Sequence, residues 1–135
     1  MTQTLIHLVR HAEVENPDNI WYGRLEGFVL SERGLRQIVA LADHLALKPI
    51  AAVYSSPLTR AVQTAEAIAA SHGLPVKVIE EIIESEAKLQ GLPGDRRLFR
   101  NPANLRYFVN PLRPSWGEPY RSIRERMGRA VAAMR

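Results

Sequence analysis

The chain contains no cysteine, so neither a disulfide framework nor a thiolate metal site is open to it. It also lacks any apolar run close to the roughly 20 residues that span a bilayer, and no basic segment leads into a secretory apolar stretch. A cytoplasmic location without membrane attachment is the default expectation, and the absence of cysteine is compatible with it. Internal repeats and low-complexity tracts are absent. A length of 135 residues with 46% hydrophobic content suffices for one core but not for two ordinary domains. Acidic residues are scarce toward the C-terminus, where ten arginines between Arg96 and Arg135 stand against Glu118 and Glu125 alone. That imbalance, within a net charge of +4, makes a field that draws anions. Arg121, Arg124, Arg126 and Arg129 nonetheless fall largely off the apolar stripe of their helix and read as a solvated face. Nucleic-acid binding would place such arginines along one tracked surface with aromatic stacking partners. Tyr107, Phe108, Trp116 and Tyr120 are nearby in sequence, but no recognised motif accompanies them, so nucleic acid is not an expected partner.

What the chain does carry is Leu8-Val9-Arg10-His11-Ala12-Glu13-Val14, at the close of an apolar N-terminal run. Leu5 to Val9 is short, apolar and followed by charge, the pattern of a buried parallel strand. Open α/β sheets bind their ligands at such strand ends. Successive strand residues point to opposite faces, so Arg10 and His11 serve one pocket only if the pleat breaks near His11. Asn16-Pro17 agrees with a loop there. A second strand, Ile50 to Tyr54, runs into Ser55-Ser56-Pro57-Leu58-Thr59-Arg60. Ser56 reads as an N-cap and Pro57 as the first helical residue, with Leu58, Ala61, Val62, Ala65, Ile68 and Ala69 at helical spacing. Arg60 then lies in a first helical turn, where free N–H groups and the helix dipole favour an anion and a guanidinium fork matches phosphate oxygens. A neutral imidazole is a competent nucleophile near neutral pH, and guanidinium groups hold phosphoryl oxygens in line without a metal. No cofactor is expected.

These blocks are joined by Tyr22-Gly23-Arg24, by Leu30-Ser31-Glu32-Arg33-Gly34-Leu35-Arg36-Gln37, and by Ala61-Val62-Gln63-Thr64-Ala65 after Arg60. Their order and spacing resemble the histidine phosphatase superfamily, also called phosphoglycerate mutase-like, over most of the chain. The resemblance implies an α/β domain of three layers, helix-sheet-helix, around a mostly parallel sheet. It implies that His11 becomes phosphorylated and that Arg10 and Arg60 bind phosphate. It also implies a carboxylic acid after the third strand, which protonates the leaving oxygen. Leu74 to Ile79 reads as that strand, and of the glutamates beyond it Glu84 aligns best, with Glu86 as the alternative. The competing reading makes Glu80, Glu81, Glu84 and Glu86 a solvated acidic stretch. The family often has Glu-Gly where this chain has Gln90-Gly91. Asn16 lies one position from a phosphate-contacting asparagine of the family and is a candidate phosphate ligand. Gly23 and Arg24 match a family loop near the phosphate, the alternative being a turn glycine beside an exposed arginine.

A second histidine at the end of a later strand completes the family's site, and His7, His11, His44 and His72 are the only histidines present. His72 before Gly73 reads as a helix stop. His44 lies on a helix capped by Ser31, with Leu35, Ile38, Val39, Ala42, Leu45 and Ala46 as its core face. His7 reads as a packed, hydrogen-bonded core residue, and Glu13 as structural. Tyr120, Ile123, Met127, Val131 and Met134 recur at helical spacing with no stop signal, so the resemblance implies a chain cut short before a final strand and helix. Leu5 to Val9 would then present an unpaired edge, and self-association or completion by a partner is expected. Leu89 to Pro119 carries five prolines and a short helical stretch, Asp95 to Arg100. About 89–119 is therefore an irregular connection of the lid type within a single domain spanning 1–135. Arg24, Arg96, Arg97, Arg100, Arg113 and Trp116 are candidates there and nearby for substrate contact. The expected activity is hydrolysis of a small phosphomonoester, in preference to mutase chemistry. The alternative is a non-catalytic phosphate-binding or interaction protein.

Overall fold

The first helix starts where the sequence supplies a side-chain cap. Ser31 is extended and its hydroxyl accepts the Gly34 N–H at 3.0 Å, opening α1 (Glu32–Ala46), whose buried stripe is Gly34, Ile38, Ala42 and Leu45. The structure is a computed structural model and describes residues 4–110 and 115–134. Glu13 lies against this first turn: its carbonyl accepts the Ser31 amide, its own amide donates to Gln37 Oε1, and its carboxylate accepts from Ser31 Oγ. The structural role expected of Glu13 is the one it has. A Cβ on Gly34 would sit 2.1 Å from the Glu13 carbonyl oxygen, so only glycine permits this approach.

Two short parallel strands, β1 (Val53–Ser55) and β2 (Val76–Val78), pair in the register Val53 to Val76, Tyr54 to Lys77 and Ser55 to Val78. The crossover between them is α2 (Thr59–His72), which starts two residues later than the N-cap reading of Ser56 implies. A residue before proline is restricted to extended backbone, and Ser55 Oγ donates to the Ser56 carbonyl, so Ser56-Pro57 makes the turn instead. Leu58 is the cap residue, and its carbonyl accepts from Ala61 and Val62. The helix stops as expected: Gly73 adopts the left-handed conformation, φ +63°, and its N–H reaches the carbonyls of Ala69 and Ala70. Leu45, Val53, Ala65, Ile68 and Ala69 form the buried core between α1, α2 and β1, with Ile50, Leu74 and Val76 packed against it.

The expected first strand does not form. Leu5 is 79% and Leu8 86% exposed, and among the described residues the sheet has two strands only. A strand is stable only within a ladder, and residues 4–11 run instead along an open groove of about 1220 Å³. His7 is exposed there, not the core residue its alternation in a buried strand implies. β1 lies on another wall of the groove, and Ile123, Met127 and Val131 of α3 (Tyr120–Ala133), with its cap residue Met134, on a third. α3 meets the 3₁₀ turn Glu80–Ile82 that follows β2. The architecture is thus α/β with a small parallel sheet. The 89–119 stretch holds 3₁₀ turns at Arg96–Arg100 and Pro102–Phe108, and bridges from Ile20 to Pro93 and from Ala87 to Gly117 tie it to neighbouring loops. Among the described residues no helix is long and apolar enough to cross a membrane.

Candidate active site

Arg60 is the most buried large side chain, 1% exposed, in the first turn of α2. Its Nη2 donates to the Gly23 carbonyl and its Cζ lies 4.7 Å from the centroid of the Tyr22 ring. Among the described residues its buried Nε has no hydrogen-bond partner. A buried unpaired N–H of a cation is costly, and a bound anion relieves that cost. Burial lowers the Arg60 pKa, while Tyr22 and Glu84 oppose that shift through their charge interactions.

His11 is half-buried at the same groove, at the end of the segment that carries Arg10. The position is set from α2: Thr64 Oγ1 donates to the Arg60 carbonyl at 2.8 Å and accepts the Ala12 N–H at 3.3 Å. The His11 ring meets Tyr22 edge-on, with centroids 6.3 Å apart, so Tyr22 touches both the imidazole and the Arg60 guanidinium. Nδ1 lies 2.8 Å from the Ala12 carbonyl oxygen. A carbonyl only accepts, so in the neutral ring the proton is assigned to Nδ1 and Nε2 keeps its lone pair.

The groove gathers Arg10, His11, Arg60 and Glu84 on one surface. Glu86 lies outside its lining, and the Glu86 carbonyl is occupied by the Glu118 amide at 2.9 Å. Asn16 is also elsewhere, with its side chain closed on the Ile20 backbone at both ends, Nδ2 to the carbonyl and Oδ1 from the amide. Arg97 pairs with Asp95 and donates to the Asp18 carbonyl, Arg96 and Arg100 are exposed on the same turn, and Trp116 stacks on Phe108 at 6.3 Å. None of these four residues lines the groove. Arg113 lies outside the described residues.

Arg24 is not the exposed arginine of the alternative reading, and Arg126 departs from the solvated face expected of it. Arg24 is half-buried: its Nε donates to the Glu84 carbonyl at 2.6 Å and its Nη2 to Glu118 at 3.4 Å. Arg126 leaves the solvated face on which Arg121, Arg124 and Arg129 remain, because its guanidinium forks onto the Glu118 carboxylate and its Nη1 donates to the carbonyls of Glu81 and Ile83. These contacts hold the Glu118 carboxyl at a pKa of about 2, the Arg126 hydrogen bonds being the largest cause. The signal for this network was the scarcity of acid in a run of arginines: Glu118 and Glu125 each pair with one of them. Tyr22 had no signal beyond its place in the Tyr22-Gly23-Arg24 block. Among the described residues no three histidine, aspartate or glutamate side chains gather to hold a metal ion.

One α/β scaffold thus carries an imidazole with a nitrogen lone pair, a buried guanidinium with an unpaired Nε and a carboxyl group within its electrostatic reach. The family model of the histidine phosphatase superfamily (branch 1) matches residues 6–135, and the chain belongs to that superfamily. An uncharacterised Mycobacterium tuberculosis H37Rv protein, Rv0525, is 48% identical over 132 residues, 96% of this chain and 65% of that protein. Phosphoserine phosphatase 1 of Hydrogenobacter thermophilus is 37% identical over 107 residues, 76% of this chain and 49% of that protein. Among solved structures, the mycobacterial glucosyl-3-phosphoglycerate phosphatase Rv2419c superposes with a TM-score of 0.74 at 29% identity, over 92% of this chain and 60% of the other. The chain thus spans 65% or less of the length of each of these proteins.

Proposed function

We propose that the chain is a phosphomonoester hydrolase working through a phosphohistidine on His11, with Arg10 and Arg60 as the phosphate clamp and Glu84 as proton donor. The observation that carries this reading is the buried Arg60 with its unpaired Nε, in the groove that His11 also lines and with Tyr22 as their shared neighbour. In the first step His11 Nε2 attacks phosphorus, the P–O ester bond breaks, and the Glu84 carboxyl gives its proton to the leaving oxygen. In the second, the Glu84 carboxylate takes a proton from water, the water oxygen attacks phosphorus, and the P–N bond breaks to release phosphate and neutral His11. Positioning and fixed charge do most of the work in such transfers. Small phosphorylated metabolites are the substrate class that the names of the matching phosphatases suggest. The 89–119 connection is the proposed cover.

The test is phosphate release from p-nitrophenyl phosphate and a panel of alkyl phosphates, by the chain and by His11→Ala in parallel. Turnover lost with the substitution, while phosphate binding persists, supports the reading. Equal turnover by both overturns it. A second reading, phosphate binding without catalysis, is favoured by the histidines of the groove, which are His7 and His11 alone. It predicts phosphate affinity that depends on Arg60 with no turnover in either form. The same open groove, with Leu5, Leu8 and Val9 exposed along it and, among the described residues, one strand partner for β1, also favours self-association of the chain through this edge.

A further inference from the structure

Glu84 sits in a stretch without regular structure, between the 3₁₀ turn Glu80–Ile82 and the bridge at Ala87. Such a segment cannot hold a carboxyl in place by its own ladder, yet its carbonyls are taken one after another by groups from distant parts of the chain. Arg126 Nη1 donates to Glu81 at 2.6 Å and to Ile83 at 2.7 Å, Arg24 Nε donates to Glu84 at 2.6 Å, and the Glu118 amide donates to Glu86 at 2.9 Å. The Glu118 carboxylate joins the two arginines, 3.0 Å from Arg126 and 3.4 Å from Arg24. A Cβ on Gly117 would lie 2.5 Å from the Glu86 carbonyl oxygen, so the loop also rests directly on the residue before Glu118. Arg24 in turn belongs to the turn that places Gly23 against Arg60. One set of charges therefore grips the backbone under Glu84 from the same turn that touches the buried guanidinium.

We infer that Arg24, Glu118 and Arg126 form a positioning clamp that aims the Glu84 carboxyl at the leaving-group oxygen, with Arg24 acting on Glu84 through its own carbonyl. The inference rests on the proposed hydrolase reading. It replaces substrate contact as the role of Arg24. A proton donor contributes about 10²–10⁴-fold where the leaving group needs a proton, and little where it does not. Loosening the clamp therefore changes which substrates suffer, a discrimination that a purely structural contact would not produce.

The experiment compares kcat on an alkyl phosphate, whose alkoxide needs the proton, with kcat on p-nitrophenyl phosphate, whose phenolate does not. The chain, Arg24→Met, Arg24→Lys, Glu84→Gln and the double variant Arg24→Met/Glu84→Gln are measured together. The expected result is a ratio of alkyl to aryl rates that drops about tenfold in Arg24→Met, in part recovered by Arg24→Lys, with KM little moved. Glu84→Gln shows a larger drop, and the double variant equals it. Equal losses on both substrates, or a double variant worse than Glu84→Gln in this ratio, overturn the clamp while leaving the hydrolase reading standing. Should Arg24→Met fold poorly, Arg24→Gln carries the same ratio test. Full turnover by His11→Ala, or none by the unmodified chain, overturns the hydrolase reading and the clamp with it.

Discussion

Replacing Glu118 by glutamine keeps the shape of the side chain and removes its charge. In the native chain that carboxylate is 10% exposed and faces an Arg126 guanidinium that is 11% exposed, with Ser122 Oγ donating at 2.7 Å and Arg24 at 3.4 Å. Its pKa falls from an ordinary 4.5 to about 2. A depression of that size corresponds to about 3 kcal/mol of interaction with the ionised form. The folded pKa is the lower one, so this stability is fully present above the ordinary carboxylate range and is lost as pH falls through about 2. Glu118→Gln lacks it at every pH: one oxygen still accepts from Arg126, but the charge is gone and the other acceptor becomes an NH2 group that faces the guanidinium. Urea denaturation followed by tryptophan fluorescence should find the variant about 3 kcal/mol less stable at pH 7, in the range for breaking a buried pair. The gap should narrow steadily from pH 4.5 downward as the native carboxylate protonates. A gap below about 1 kcal/mol at pH 7, or one that stays constant down to pH 3, refutes the argument.

Gly34→Ala should destabilise by about 1–3 kcal/mol in the same assay, although alanine is the better helix former by about 1 kcal/mol, because the new methyl meets the Glu13 carbonyl oxygen. A neutral or stabilising effect would show that the approach relaxes freely. Arg60→Ala should lower kcat/KM by about 10²–10³-fold, and Arg60→Lys should not restore it, since a point charge does not reproduce the fork. Full activity of the lysine variant would count against a bidentate clamp. Sedimentation velocity at micromolar concentration should find species larger than a monomer, reduced by Leu8→Lys on the exposed apolar edge. A single monomeric species for the unmodified chain refutes self-association.

The sequence by itself determined the elements whose cause is local. Ser31 three residues before Gly34 starts α1, Gly73 ends α2, and the apolar spacing of Ile38, Ala42 and Leu45 selects the face that α1 buries. Caps and periodicity act over one or two turns, so they can be read without knowing where anything else lies. The same holds for Arg60, which helical spacing alone puts in the first turn of α2, and for the order of blocks that marks the family. Pairings across long separations were decided only in the tertiary structure. Leu5 to Val9 has the composition of a strand, but strand formation needs a neighbour at hydrogen-bonding distance, and the groove lies there instead. Arg126 shares its helix with three solvated arginines, and what separates it from them is the position of Glu118 and of two carbonyls more than forty residues away. Arg24 finds Glu84 across sixty residues, and Asn16 turns to Ile20 instead of the groove. A side chain's type states what it can bond, whereas its partner is set by where the rest of the chain has been packed.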